Sequence, residues 1–269
     1  MNPTVRVATI NILNDLSRWN ERRSLLAEGL AALSLDLIAL QEVTTPPGSG
    51  TARWLADALG GYEVQICPKS GRGRGREGIA VLSRLPVARH ETLDLGSQRR
   101  TAQLVEVRAG EGPLALVNGH FYWPPGVHGA RVRQVERLRG WIATRAAGLP
   151  VVACGDFNAT PGSRAIAMMK EGFASAHEAA RGREPSHTCP TPLVTGGRVR
   201  GPATRAMLRL FSNTPGGPWR GTLDYIFAGP GVEVLDCDLI LDRPSPRDPT
   251  LYASDHFGLA ATLRCGGSL

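Results

Sequence analysis

The chain has 269 residues, 42% of them hydrophobic and 20% charged, with 31 Lys+Arg against 24 Asp+Glu for a net charge of +7. That apolar content excludes a disordered polyelectrolyte, and the longest apolar stretches, such as Leu35 to Leu40, fall far short of the roughly 20 residues that span a membrane. Five scattered cysteines without a CxxC pair speak against a disulfide framework or a structural zinc site. Met1 to Leu13 carries one Arg and no continuous apolar block, so it does not read as a signal peptide. Reduced thiols in a cytoplasmic setting are expected. The cations are almost all Arg, with Lys only at Lys69 and Lys170. Such a surface attracts polyanions, although a GC-rich coding bias would produce the same composition.

Taken in chain order, Val5 to Asn11 alternates as a strand does, and Ser17 to Ser34 places Leu25, Leu26, Leu30 and Leu33 at helical spacing. Asp36 to Glu42 is a short apolar run closed by polar residues, as a buried strand would be. Thr51 to Leu59 reads as a helix. Strands are predicted at Tyr62 to Ile66, Ile79 to Ser83, Val87 to Leu93, Thr101 to Val107 and Leu114 to His120. Val127 to Ala147 is the longest helical pattern, followed by a buried strand at Val151 to Cys154 and a short helix at Gly162 to Lys170. Arg181 to Gly221, rich in Pro, Gly, Thr and Arg, reads as a long irregular loop with one short apolar run at Met207 to Phe211. Strands resume at Leu223 to Phe227, Val232 to Asp238 and Gly258 to Leu263. No repeat or linker divides the chain. The pattern predicts one domain, residues 1–269, of two packed sheets with helices outside them.

Six of these strands end in acidic, amide or imidazole groups: Asn11, Glu42, His120, Asp156 with Asn158, Asp224, and Asp255 with His256. One such residue is ordinary turn chemistry. Six together are metal ligands and proton-transfer groups, and on a shared sheet edge they would form one acidic pocket in a basic protein. Carboxylates and an amide oxygen are hard ligands that suit Mg²⁺ or Mn²⁺. A cation there stabilises charge on a phosphoryl oxygen, and an imidazole held by a carboxylate suits general-base work.

These residues lie in ATIN (8–11), LIALQEV (37–43), GIAVLSRLP (78–86), GDFNATP (155–161), LDYIF (223–227) and SDHFGL (254–259), an ordered set that resembles the motifs of the endonuclease/exonuclease/phosphatase superfamily from about residue 5 to 263. The resemblance implies an α+β fold, a four-layer α/β/β/α sandwich of two mainly antiparallel sheets with outer helices. It also implies a Mg²⁺-dependent (or Mn²⁺-dependent) phosphoesterase acting on a phosphodiester or phosphomonoester by in-line attack of water. A non-catalytic binder of phosphorylated partners is the other reading. Carried over residue by residue, Glu42 is the principal metal ligand with Asn11 beside it, and Asp255 approaches from the opposite wall. His256, oriented by Asp224, shares the base and phosphate-polarising roles with Asp156. Asn158 bonds the phosphate or the water, and His120 contacts the phosphate and protonates the leaving oxygen. The substrate carries a phosphate ester and includes nucleic acid, nucleotides, lipids and inositol phosphates as open alternatives. A monomer is favoured.

Where some members carry a second acid, this chain has Leu13, which favours one tightly bound metal. His120, in place of the Tyr of apurinic endonucleases, weighs against an abasic-site enzyme. HFYWPPG (120–126) with Arg131 and Gln134 resembles the deadenylase and sphingomyelinase branches. There Tyr122 and Trp123 either form a rim for a flat group or simply pack the turn. GRGRGR (71–76) is either an arm that tracks phosphates or a solvated loop. Arg99 and Arg100 sit where the family has an Arg near the pocket. His187, Thr188 and Cys189 either face the substrate or are turn residues. Cys154 reads as core, and His90, His128 and His177 as surface or structural.

Overall fold

A computed structural model describes residues 4–45, 50–71, 77–110, 112–124, 126, 129–193 and 219–266. The chain opens with a β-α-β unit: β1 (Thr4–Asn11), α1 (Trp19–Ala31) and β2 (Leu37–Val43). α2 (Thr51–Leu59), β3 (Glu63–Pro68) and β4 (Gly78–Ser83) follow. The second sheet begins with β5 (Val87–Asp94), β6 (Thr101–Ala109) and β7 (Gly112–His120). It continues through α3 (Gly129–Arg145), β8 (Val151–Asp156), α4 (Arg164–Lys170), β9 (Ala174–Ser175), α5 (Ala176–Arg181) and β10 (Asp224–Ala228). The chain then returns to the first sheet with β11 (Val232–Ile240) and β12 (Gly258–Cys265).

Both sheets have six strands, in the orders β11-β12-β1-β2-β4-β3 and β5-β6-β7-β8-β10-β9. Each has one parallel pair at its centre, β1 with β2 and β7 with β8, and every other pair is antiparallel. Each parallel pair is joined by a helical crossover, α1 between β1 and β2 and α3 between β7 and β8, since a connection of that length is needed to return the chain to the same end. The expected sandwich of two mainly antiparallel sheets is therefore present, with predicted and observed strands agreeing to within a few residues at each end. β9 and α5 were not predicted, being two and six residues long and too short to show a period. Met207 to Phe211 and most of the expected long loop lie outside the described residues.

Three apolar layers hold the sandwich together. Val5 and Val7 of β1, Val105 and Leu116 of the second sheet, and Val152 and Cys154 of β8 meet in the central layer between the sheets. Ala8 and Ile10 face the other way, against Leu26 and Leu30 of α1 and Leu55 of α2. Ala153 and Tyr225 face Val135 and Leu138 of α3 and Ile166 of α4. The central strands thus bury both faces, and their period-two alternation sorts side chains into two different cores. Cys154 is core, as expected, and burial pushes its thiol up to about 12.

Gly119 and Gly155 lie opposite each other on the central pair of the second sheet. A Cβ on Gly155 would stand 2.0 Å from the Gly119 carbonyl oxygen, and Gly155 has φ +132. Two strands that each carry a site residue at the next position can approach this closely only without that Cβ. Gly155→Ala is expected to cost about 3 kcal/mol or more, read as a lowered urea midpoint; an unchanged midpoint would contradict the close approach.

Candidate active site

The strand ends predicted to carry chemistry do share one edge, by a rule simpler than that all are C-termini. β1 ends there with Asn11, β2 carries Glu42 one residue before its end, and β7 and β8 end there with His120 and Asp156. Antiparallel neighbours begin where these end. Asp224 starts β10 opposite Asp156, and Asp255 and His256 precede β12, whose first pairs bring Leu259 to Thr9. The expectation that each polar residue closes its strand is corrected for Asp224, Asp255 and His256, which open theirs. The same rule delivers two residues whose position the sequence left unassigned or weakly assigned. Glu77 precedes β4, whose Gly78 pairs with Val43, and Arg100 precedes β6, whose Ala102 pairs with Gly119.

One cluster is Glu42, Glu77 and His120, whose ligand atoms lie within 4.8 Å of one another. Glu42 sits at a bulge in the β2–β4 pairing with φ 58, and Leu13 and Asn158 are left-handed as well, at φ 57 and 49. Such conformations cost non-glycine residues about 1–3 kcal/mol each and are held by their surroundings. For Glu42 the restraints are the Asn14 N–H on Oε2 (3.0 Å) and the Asn11 Nδ2 on Oε1 (3.3 Å). Burial, with Asp255 and Glu77 close by, raises the pKa of Glu42. Glu77 accepts from Arg100 Nη1 (2.9 Å) and Asn14 Nδ2 (3.0 Å) and pairs with Lys69. The same Arg100 Nη1 lies 2.8 Å from His120 Nδ1. A guanidinium only donates, so the neutral ring carries its proton on Nε2, which lies 3.5 Å from Asp156 Oδ2. Burial, followed by Arg100, holds His120 well below the ordinary histidine value.

The second cluster is Asp156, Asp224 and His256, again within 4.8 Å and fully buried. Asp224 Oδ2 holds His256 Nδ1 at 2.8 Å and accepts the Thr188 hydroxyl at 2.6 Å. Burial opposes charge on His256, but Asp224 and the Cys189 thiol outweigh it and leave its pKa well above the ordinary value. Asp156 Oδ1 accepts the Asn158 N–H (2.8 Å), and Oδ2 accepts Asn11 Nδ2 (3.1 Å). Burial and the charge of Asp224 push Asp156 up to about 7. Asn11 therefore bonds a carboxylate of each cluster, and its own oxygen accepts the Leu13 N–H at 3.0 Å. The expected site residues, Asn11, Glu42, His120, Asp156, Asn158, Asp224, Asp255 and His256, all line this edge.

The residue after each of three site residues is aromatic and points to the opposite face. Phe121 and Phe157 stack with centroids 4.4 Å apart, and Tyr225 meets Phe157 edge-on at 5.8 Å. His120, Asp156 and Asp224 are thus braced from beneath. Arg131 donates to the carbonyls of Asn158, Pro124 and Gly126, and Gln134 bonds the Tyr122 N–H and the Ser97 carbonyl. This pair tethers the rim loops to α3. Trp123 is 48% exposed on that rim, so it does not simply pack the turn. Thr188 donates to Asp224, and the Cys189 thiol lies close enough to His256 to act on its charge, whereas His187 lies against Phe257. His90 bonds Gln103 and His177 the Arg183 carbonyl, both structural roles. His128 and Arg72, Arg74 and Arg76 of the arginine-rich stretch lie outside the described residues.

The donor set fits a hard divalent cation. It brings two carboxylates together with a third nearby, and it leaves Asp224 Oδ1 buried with no hydrogen-bond partner among the described residues. The sequence matches the Endonuclease/Exonuclease/phosphatase family over residues 8–256. The chain belongs to this family. Among relatives of that family, mouse 2′,5′-phosphodiesterase 12 is 26% identical over 204 residues, 70% of this chain and 32% of the relative. An Arabidopsis thaliana carbon catabolite repressor protein 4 homolog is 28% identical over 159 residues, 54% of this chain and 34% of that one. The chain spans about a third of the length of these relatives. The fold is shared with the human Nocturnin catalytic domain bound to sulfate (TM-score 0.73, 22% identity, 98% of this chain and 96% of that one). It is shared too with D. rerio TDP2 in complex with a single-strand DNA product (TM-score 0.74, 17% identity, 97% and 99% covered).

A pKa of about 7 for Asp156 in the folded state, against 3.8 otherwise, has a definite linkage sign. The folded chain holds the extra proton, so this contribution to stability is complete below pH 3.8 and is lost as pH rises through about 7. In chelator, Asp156→Asn is expected to raise the melting temperature at pH 8 and to give a smaller gain at pH 5. Equal changes at both pH values would contradict the raised pKa.

Proposed function

We propose that this family member is a Mg²⁺- or Mn²⁺-dependent phosphodiesterase that hydrolyses its substrate by in-line attack of water. The supporting observation is Asn11, whose amide joins a carboxylate cluster suited to a cation to an acid–imidazole cluster suited to proton transfer. Glu42, Glu77 and Asp255 would hold the cation, which supplies charge stabilisation at a phosphoryl oxygen. Asn11 orients Glu42 and Asp156 through its Nδ2. Asp156, near neutrality in proton affinity, takes the proton of the attacking water, and the Asn158 N–H fixes its carboxylate. His256 stays protonated against Asp224 and donates to a non-bridging oxygen. His120, neutral and with its Nε2–H free of Arg100, donates to the phosphate or the leaving oxygen.

The substrate class in this reading is a nucleotide phosphodiester. Exposed Trp123 offers a stacking face beside the strand end that carries His120, and relatives include a 2′,5′-phosphodiesterase. The chain works as one domain, since the site draws on both sheets and on both ends of the sequence. A reducing, cytoplasmic setting agrees with five buried free thiols. No helix among the described residues is long and apolar enough to cross a membrane.

Bis-p-nitrophenyl phosphate should be hydrolysed with Mg²⁺ or Mn²⁺ and not in EDTA; undiminished turnover in EDTA removes the cation from the reading. His256→Ala and Asp156→Asn should each lower kcat by roughly 10³-fold or more while remaining folded. With 2′,5′- and 3′,5′-linked oligoadenylates, Trp123→Ala should raise KM several-fold yet leave bis-p-nitrophenyl phosphate unaffected. Preference for inositol phosphates or phospholipids over both oligoadenylates would overturn the nucleotide assignment.

A further inference from the structure

Arg22 lies in the first turns of α1 with none of its surface exposed to solvent. Its Nη1 donates to the carbonyls of Ile12 (3.0 Å) and Ala253 (3.0 Å), and its Nη2 to those of Asp15 (2.6 Å) and Leu13 (3.3 Å). The acceptors belong to two segments far apart in sequence. Residues 12–15 follow Asn11, and their Asn14 N–H holds Glu42. Ala253 precedes Ser254, Asp255 and His256. β1 and β12 pair no further along than Thr9 with Leu259, so beyond that point their loops are joined by side chains. Arg22 is one tie, the Ser254 hydroxyl on the Asn11 carbonyl, at 2.6 Å, is a second, and Arg18 on Thr250 and Asp248 is a third, farther from the site.

A guanidinium buried this completely is costly to desolvate. Its hydrogen bonds go to carbonyls and none to a carboxylate. Asp255, Asp15 and Glu42 nevertheless lie close enough to act on its charge. It therefore favours the approach of Glu42 and Asp255 without occupying their oxygens. Its two Nη groups reach carbonyls arriving from two directions, a geometry that an ammonium cannot copy, while Nε is buried with no hydrogen-bond partner among the described residues.

We propose that Arg22 is a positioning residue for the divalent cation: its fork, with Ser254, sets the spacing between the strand ends bearing Asn11 and Glu42 and the adjoining loop bearing Asp255. This rests on the cation reading above. The test is Mn²⁺ binding to metal-free protein, followed by electron paramagnetic resonance and calorimetry, for the wild type and for Arg22→Lys, Ser254→Ala and Glu42→Gln. Melting temperatures in EDTA separate loss of fold from loss of the site.

Arg22→Lys keeps the charge and loses the fork, and is expected to weaken Mn²⁺ roughly 10- to 100-fold, the range typical of groups that orient metal ligands. Ser254→Ala is expected to weaken it several-fold. A folded Arg22→Lys protein with wild-type Mn²⁺ affinity overturns the proposal. Should Arg22→Lys not fold, unchanged affinity in folded Ser254→Ala overturns it instead. If Glu42→Gln abolishes binding while the other two variants bind normally, the cation reading stands and only the role of Arg22 falls. Wild-type protein that binds no Mn²⁺ removes both.

Discussion

Two sheets that face each other through Val, Leu, Ala and Cys have little to stop one sliding over the other. In this protein the restraint is a hydrogen bond between them, from Gln41 Nε2 to Asn118 Oδ1 at 2.8 Å. Both amides are fully buried. Gln41 also donates to the Thr9 hydroxyl, and Asn118 to the carbonyls of Leu40 and Ala80. Gln41 Oε1 has no partner among the described residues, and slipping the sheets would leave the remaining buried amide groups unpaired as well, each at its full desolvation cost, so the pair favours one register. Gln41 precedes Glu42, and Asn118 stands two residues before His120. The bond that aligns the sheets therefore also sets how far the Glu42 carboxylate lies from the His120 imidazole across the cleft.

The remaining restraints act on the same edge from behind. Aromatic rings at 121, 157 and 225 brace the second sheet's three site residues, and Arg131 with Gln134 ties their loops to α3. On the first sheet, Arg22 and Ser254 do the corresponding work between loops. The net positive charge is largely separate from this machinery. Arg89, Arg139, Arg145, Arg181 and Arg264 pair with surface acids, contacts that contribute little individually. Arg22, Arg100 and Arg131 are instead buried and bonded to groups that shape this edge.

The clusters divide the chemistry by environment. Like charges around Glu42 create a place where a cation is favourable, and burial makes Asp156 a weaker acid than a surface aspartate. Asp224 is committed to His256, Thr188 and the start of β10, so it orients the imidazole and raises its basicity. One fold edge thus holds a carboxylate pair, a near-neutral carboxylic acid, a charged imidazole and a neutral one.

Much of this was legible in the residues themselves. Alternation and helical spacing located the long strands and helices, because a strand buried on two faces and a helix packed on one leave distinct periods. The ordered motifs pointed to the fold and to eight residues that the structure brings to one edge. Glu77 was not legible, since a single glutamate before an apolar run looks like any turn residue until the β2–β4 register places it beside Glu42. Arg22 was hidden for the same reason: on a helix rich in Glu and Arg it reads as solvated. The sequence alone determined which strands would be buried and which acidic, amide and imidazole side chains flank them. Only the tertiary structure decided which strand starts meet which strand ends, since antiparallel pairing joins residues that are remote in the chain and carry no local signal of their partners.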